Sequence, residues 1–247
     1  MKVTYIHHSG FFVELDHVGL LFDYYTGELP CRLGEKPVVV FASHRHGDHF
    51  SQEIFRQFPE NREGEVRYVL SYDIREKFVP EEKRSKTLWV KSHTVTELTV
   101  PWGKQGEAEK LEIETFRSTD EGVAFLVRCQ GMTIYHAGDL NNWFWNGEPD
   151  SWNHNMAANY GKELGRIKES MGGQPVDVAF VPLDPRLEDK FCLGLDQFMK
   201  TVGAKEVFPM HCWDDYDVIR RLKEMTCSED YRDRVAEIKK DGDSFEI

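Results

Sequence analysis

The segment His44-Arg45-His46-Gly47-Asp48-His49 places three imidazoles and a carboxylate within six residues. A divalent cation needs several such donors converging on one point. Alternate residues of an extended segment project to the same side, so His44 and His46 can share one position. Asp48 and His49, past the bend at Gly47, can face a second. Chance solvated clusters of this composition are rare. The chemistry they suit is metal-assisted hydrolysis, because a bound divalent cation brings a water's pKa toward about 7 and polarises the substrate oxygen. No Ser-His-Asp or Cys-His arrangement competes, and Cys212 beside His211 reads as a small core residue rather than a nucleophile.

Such a cluster needs a rigid platform. The apolar run PVVVFAS leads directly into it and reads as a buried strand. Before it stand VTYI, FFVEL and GLLFD, short β-type runs separated by turn residues. Ser51 reads as the start of a helix, with Ile54, Phe55 and Phe58 on one face. Further strands are expected at Val66 to Ser71, Thr87 to Val100, Leu111 to Phe116, Gly122 to Val127 and Met132 to His136. Met156, Tyr160, Leu164, Ile167 and Met171 then recur at helical spacing up to Gly172 and Gly173. Val176 to Pro182 reads as a strand buried on both faces, Leu195 to Val202 as a helix, GAKEVFP as a strand and Val218 to Met225 as a helix. RVAEIKKDGDSFEI reads as two short strands around Asp241-Gly242. No linker marks a boundary, so residues 1–247 are expected to form one α/β (α+β) domain with two sheets and outer helices.

The HxHxDH pattern, with the later AGD at Asp139 and a late histidine after a strand at His211, resembles the metallo-β-lactamase superfamily along the whole chain. The first motif is specific, while the other two gain force from order and spacing. The resemblance implies a four-layer αββα sandwich, two sheets between helical layers, with one or two metal ions on one edge. It implies that Asp48, His49, Asp139 and His211 complete one metal position while His44 and His46 begin the other. Asp48 then also orients the attacking water. Asp23 resembles a buried aspartate that supports the metal-binding loop, and carboxylates in that role fix imidazole orientation. His8, in HHSGFF, matches a segment of the lactonase-like branch, which includes relatives of ascorbate-6-phosphate lactonase. His136 is expected to sit in the core or point away from Asp139.

One ligand departs from the pattern. The segment ETFRSTDEGVAFLV puts Ser118, Thr119 or Asp120 where a third histidine is expected, and no histidine lies between His93 and His136. Asp120 as a ligand gives a harder, more oxygen-rich site that suits manganese or iron as well as zinc. A water held by Ser118 or Thr119, a single occupied position, or a plain polar turn ending at Gly122 are the alternatives. Asp184 and Arg186 follow a buried strand and are pocket candidates or turn residues. LNNWFWNGEPDSWNHN is a candidate pocket wall or an aromatic loop packed on the body.

Composition bounds the rest. With 40% apolar and 13% aromatic residues the chain can bury a sizeable core, and 31 basic against 43 acidic side chains leave a net charge of −12 with no basic run to follow a phosphate backbone. A small-molecule substrate is expected, with no nucleic acid and no membrane; the pattern sets no oligomeric state. The amino terminus lacks the long apolar region of a signal peptide, which gives a cytoplasmic expectation. Cys31, Cys129, Cys192, Cys212 and Cys227 contain no CxxC pair and read as reduced thiols. The functional expectation is a metal-dependent hydrolase of a small ester, lactone or phosphorylated substrate, with zinc the first choice of metal. The rivals are a phosphodiesterase and a non-catalytic metal-binding or sensing protein with a degenerate first position.

Overall fold

The computed structural model describes residues 1–30, 36–58, 64–103 and 106–247. Its first sheet contains β1 (Lys2–His7), β2 (Gly10–Glu14), β3 (Gly19–Phe22), β4 (Val38–Ala42), β5 (Val66–Ser71) and β6 (Thr87–Val90), with β13 (Ser244–Glu246) added beside β1. The second sheet has the order β12 (Ala204–Met210), β11 (Val176–Pro182), β10 (Met132–His136), β9 (Val123–Cys129), β8 (Glu107–Arg117) and β7 (Val95–Trp102).

Strand alternation explains how the first sheet is covered on both faces. Phe11, Val13, Leu20, Phe22, Val39, Phe41 and Val69 belong to the core shared with the second sheet, where Phe11 meets Phe180 with ring centroids 4.2 Å apart and Phe41 meets Phe125 at 5.2 Å. The alternate residues Phe12, Leu21, Val38, Val40, Tyr68 and Leu70 form an outer cluster with Phe50, Ile54, Phe55 and Phe58. The second sheet is covered by α2 (Asp150–Ser170), which buries Tyr160, Leu164 and Ile167, and by α3 (Leu193–Thr201), whose Phe198 stacks on Tyr135 at 5.0 Å. Short α1 (Glu81–Arg84) precedes β6, and α4 (Asp217–Glu224) buries Val218, Ile219 and Leu222. The four layers are therefore present, with a thin one over the first sheet. Among the described residues no helix is long and apolar enough to cross a membrane.

Three local expectations are corrected. The helix from Ser51 is a single 3-10 turn, Gln52–Phe55; Ser51 accepts from the Glu53 amide, but the chain then turns at Arg56 and Phe58 reaches the outer cluster from outside the turn. Thr87 to Val100 is two strands in different sheets. Their β-type periodicity hides a turn at His93, which has φ +59° and whose amide donates to Thr115 at 2.8 Å while its ring meets buried Glu163 at 2.9 Å. In the last stretch only Ser244–Glu246 is a strand, and Val235 makes an isolated bridge to Val207.

Topology decides where the chemistry collects. The β3, β4, β5 and β6 strands run parallel, as do β10, β11 and β12, and the β1–β2 and β8–β9 connections return to the same edge. Side chains just past the carboxyl ends of β3, β4, β10, β11 and β12 thus meet those from the two hairpins.

Candidate metal centre

The segment His44 to His49 leaves β4 and folds into a tight turn, with the amides of His49 and Phe50 donating to the His46 carbonyl at 3.0 and 2.9 Å. It is pressed against the second sheet. The Val123 amide donates to the Ser43 carbonyl at 2.9 Å, linking β9 to the end of β4. Gly122 (φ +73°) and Gly138 (φ +51°) make this approach possible, because a Cβ at either would lie 2.0 Å from the Ser43 oxygen or 2.6 Å from the Ser43 Cβ.

Asp23, fully buried after β3, organises the base of the site. One oxygen accepts the Ser43 amide at 2.7 Å, while the other accepts the Ser43 hydroxyl at 2.6 Å and His49 Nδ1 at 2.7 Å. Since that hydroxyl donates to Asp23, it accepts from His44 Nδ1 at 3.0 Å. Both imidazoles therefore carry a proton on Nδ1 and aim Nε2 at the interior. His211, with φ +64° after β12, has Nδ1 3.4 Å from buried Asp184 and is aimed the same way.

The inward atoms converge. Asp139 Oδ1 lies 3.1 Å from His49 Nε2 and 2.9 Å from His211 Nε2, these two nitrogens are 2.9 Å apart, and Asp139 Oδ2 is 3.3 Å from His44 Nε2. Four groups of donor atoms each gather within 4.8 Å: His8, Asp48, His49 and His211; His44, His46 and Asp48; His44, His49 and Asp139; and His46, Asp120 and Asp139. Asp48 and Asp139 each belong to two groups. His44 Nε2, His8 Nε2 and Asp139 Oδ1 are buried without a hydrogen-bond partner among the described residues. Buried nitrogens and a carboxylate oxygen left unpaired and aimed at one another are a costly arrangement for the chain alone, and a donor set that a divalent cation satisfies.

Electrostatics follow the same layout. Burial would raise the Asp139 pKa, but His49 and His211 beside it hold it well below the carboxylate range. Burial would lower that of His49, but Asp139 and Asp23 raise it well above the imidazole range, and Asp139 and Asp184 raise His211 against burial likewise. Asp184 stays at about 2 because hydrogen bonds from His211 and Arg186 outweigh burial. Burial lowers His8, which keeps it neutral beside Asp48 at 3.5 Å.

Of the residues singled out in the sequence, Asp120 is brought to His46 and Asp139, though it is exposed. Ser118 is buried and accepts the Asp120 amide at 3.1 Å, while Thr119 ties the loop to the backbone of Asp139 and Asn141. His136 lies in the core, stacked on Phe22 at 5.1 Å. Cys212 is buried, and burial pushes its thiol up; Cys129, Cys192 and Cys227 are also free thiols, and Cys31 lies outside the described residues. Sequence reasoning missed Ser43 and Trp213. Ser43 only precedes the motif, and Trp213, whose indole donates to Asp184 at 3.2 Å, depends on left-handed backbone at Trp213 and Asp214 that composition does not disclose.

A cavity of about 310 Å³ opens over the cluster, bordered by His46, Asp48, Asp120, Asp139 and His211 on one side and by Trp143, Trp145, Trp152, Met156 and Arg186 on the other. The aromatic stretch after Asp139 thus walls this cavity, and Trp143 donates to the Asp139 carbonyl at 2.9 Å. Met156, expected on the buried face of its helix, lines the cavity instead.

Comparison with known proteins gives a consistent picture. A β-lactamase superfamily domain model matches residues 2–147. A protein of Opitutus terrae named a metal-dependent hydrolase is 31% identical over 150 residues, which are 56% of this chain and 63% of that relative, so the match spans less than two thirds of its length. A protein of the same name from Alkaliphilus metalliredigens is 23% identical over 224 residues, 85% of each chain. Among solved structures, Igni18 of Ignicoccus hospitalis, described as a metallo hydrolase, superposes with a TM-score of 0.62 over 100% of this chain and 98% of its own at 18% identity, a likeness of fold.

Proposed function

The chain belongs to the β-lactamase superfamily, and from that membership we propose that it is a metal-dependent hydrolase acting on a small ester, lactone or phosphorylated compound. The observation that carries this reading is the convergence of His44, His49, His211 and Asp139 through inward-facing atoms each within 3.3 Å of another, of which His44 Nε2 and Asp139 Oδ1 are buried without a hydrogen-bond partner among the described residues. The residues that would hold a cation are His44, His46, Asp48, His49, Asp139 and His211, with Asp120 in the place of the third histidine and His8 at the edge of the set. Zinc suits the nitrogen-rich group, and manganese or iron suits the oxygen-rich one at Asp120. When bound, the cation supplies an acidified water and polarises the scissile bond.

The chain's own residues do the remaining work. Asp48 borders the cavity and belongs to two of the donor groups, where its carboxylate can align the attacking water. Asp23 and Asp184 hold the imidazoles in one tautomer and orientation. Trp143, Trp145 and Trp152 give the substrate an apolar wall. The reading takes residues 1–247 as one catalytic unit, supported by the core cluster that joins both sheets, and a cytoplasmic protein with a small-molecule substrate rather than nucleic acid.

Metal analysis coupled to a panel of esters, lactones and phosphodiesters tests it. Turnover that is lost on chelation and restored by metal is the expected result. Stoichiometric metal with no turnover on any class would favour the binding or sensing protein.

A further inference from the structure

The hydrolase reading leaves the substrate's polarity open, and Arg186 bears on it. Of the described residues lining the cavity it is the only lysine or arginine, the other ionisable ones being His46, Asp48, Asp120, Asp139 and His211. An anion entering among three carboxylates meets its one fixed cationic side chain there.

The guanidinium is held rigidly. Its Nε lies 3.0 Å from both oxygens of Asp184 and its Nη2 lies 2.5 Å from Oδ2. Its Cζ lies over the Trp213 ring, 4.2 Å from the centroid, and 5.8 Å from that of Trp145. Such a clamp removes the rotamer freedom that binding would otherwise have to freeze. It uses one edge of the fork, and Nη1 has no acceptor among the described residues. Nor is the charge cancelled by Asp184 alone, because that carboxylate also meets His211 Nδ1 at 3.4 Å and the Trp213 indole at 3.2 Å. With Asp184 wholly buried, Arg186 itself 46% exposed at the cavity and Nη1 without a protein acceptor among the described residues, the side chain is anchored at one edge and open to a solute anion at the other.

We infer that Arg186 receives an anionic oxygen group of the substrate, so that the substrate is a small amphiphile with a carboxylate or phosphate at one end and an apolar body against Trp143, Trp145 and Trp152. The inference rests on the reading of the cavity as the hydrolase site. The cavity, at about 310 Å³, suits a compact ligand rather than a polymer.

The three tryptophans provide a binding signal independent of turnover. Quenching of their fluorescence in the metal-loaded protein is to be titrated with phenylacetate, its uncharged isostere phenylacetamide, and phenyl phosphate, in wild type and Arg186→Gln. Wild type is expected to bind the better oxyanion about tenfold more tightly than the amide, and the glutamine variant is expected to lose that preference at unchanged metal content. Binding of both phenylacetate and phenyl phosphate no tighter than that of the amide by wild type overturns the inference. So does a preference that survives in Arg186→Gln, which places the anion on the metal. Whichever of phenylacetate and phenyl phosphate binds tighter identifies the oxyanion. If the glutamine variant loses metal, Arg186→Lys takes its place, since it keeps the charge beside Asp184 without the fork; undiminished preference there also overturns the inference. Hydrolysis of neutral esters, scored separately, tests the activity itself: neutral-ester turnover without anion preference removes Arg186 and leaves the hydrolase standing.

Discussion

The two sides of the donor cluster use the same residue types on different foundations. On one side His49 and His211 are almost wholly buried, each braced at Nδ1 by a buried carboxylate, and each meets Asp139 within 3.1 Å. On the other, the His46 side chain is 41% exposed and 3.6 Å from Glu121, itself engaged by Arg45, and Asp120 is an exposed loop residue. Identical donors are thus pre-oriented in one half and only assembled in the other. A braced imidazole loses little freedom on binding, whereas a solvated one must be ordered and desolvated by the ion itself. On the proposed reading, the expected consequence is a tight position at His49 and His211 and a weaker, more exchangeable one at His46 and Asp120.

The largest effect that can break this comparison is at the braced half. His49→Ala or His211→Ala is expected to reduce metal content to below about a tenth of wild type, measured by elemental analysis after dialysis. Full occupancy in either would refute the assignment. Next comes the brace itself. Asp23→Asn keeps the shape but loses the charge, and metal affinity is expected to fall about 10- to 100-fold by chelator competition. An unchanged affinity would mean that Asp23 serves only the fold.

Smaller still is the exposed half. Asp120→Ala should weaken the second equivalent of metal, or shift preference toward zinc, by roughly tenfold, with Ser118→Ala close to wild type because its hydroxyl caps the Asp120 amide. Equal effects of the two changes would remove Asp120 from the ligand set.

The smallest effect is pH-dependent. Because Asp139 and Asp23 raise the His49 pKa against burial, the metal-free site holds a proton that a cation must displace. In the metal-free protein this raised pKa contributes stability below the ordinary imidazole range, and that contribution is lost as pH rises through the raised value. Metal affinity should therefore increase with pH, with about one proton released per ion bound to the braced half, read from calorimetry in buffers of different ionisation enthalpy. Uptake without proton release would show that His49 and His211 are already neutral.

How much of this was legible in the sequence follows from how local each feature is. The His44 to His49 cluster declares itself because its donors are contiguous, whereas Asp139 and His211 carry meaning only through the order and spacing of a family pattern. Asp120 enters beside Ser118 and Thr119 through the family resemblance, which leaves the three open, and only the structure shows which backbone groups Ser118 and Thr119 serve. The strands were legible by alternation, except where that alternation runs on through a turn. Thr87 to Val100 keeps its period while crossing from one sheet to the other, because the turn is made by His93 in a left-handed conformation, which alternation does not signal. Ser43, Trp213 and the clamp on Arg186 are tertiary facts, made by contacts between residues far apart in the chain.

Ser43 has a further consequence. Its carbonyl is bonded to one sheet, its amide and hydroxyl to the loop that ends a strand of the other, and two glycines press against it from either side. The seam between the sheets and the floor of the site are therefore one joint. Parting the sheets would dismantle the proposed ligand set, and an ion seated there would act as a rivet for the sandwich, so that loss of metal and loss of cooperativity should appear as a single transition.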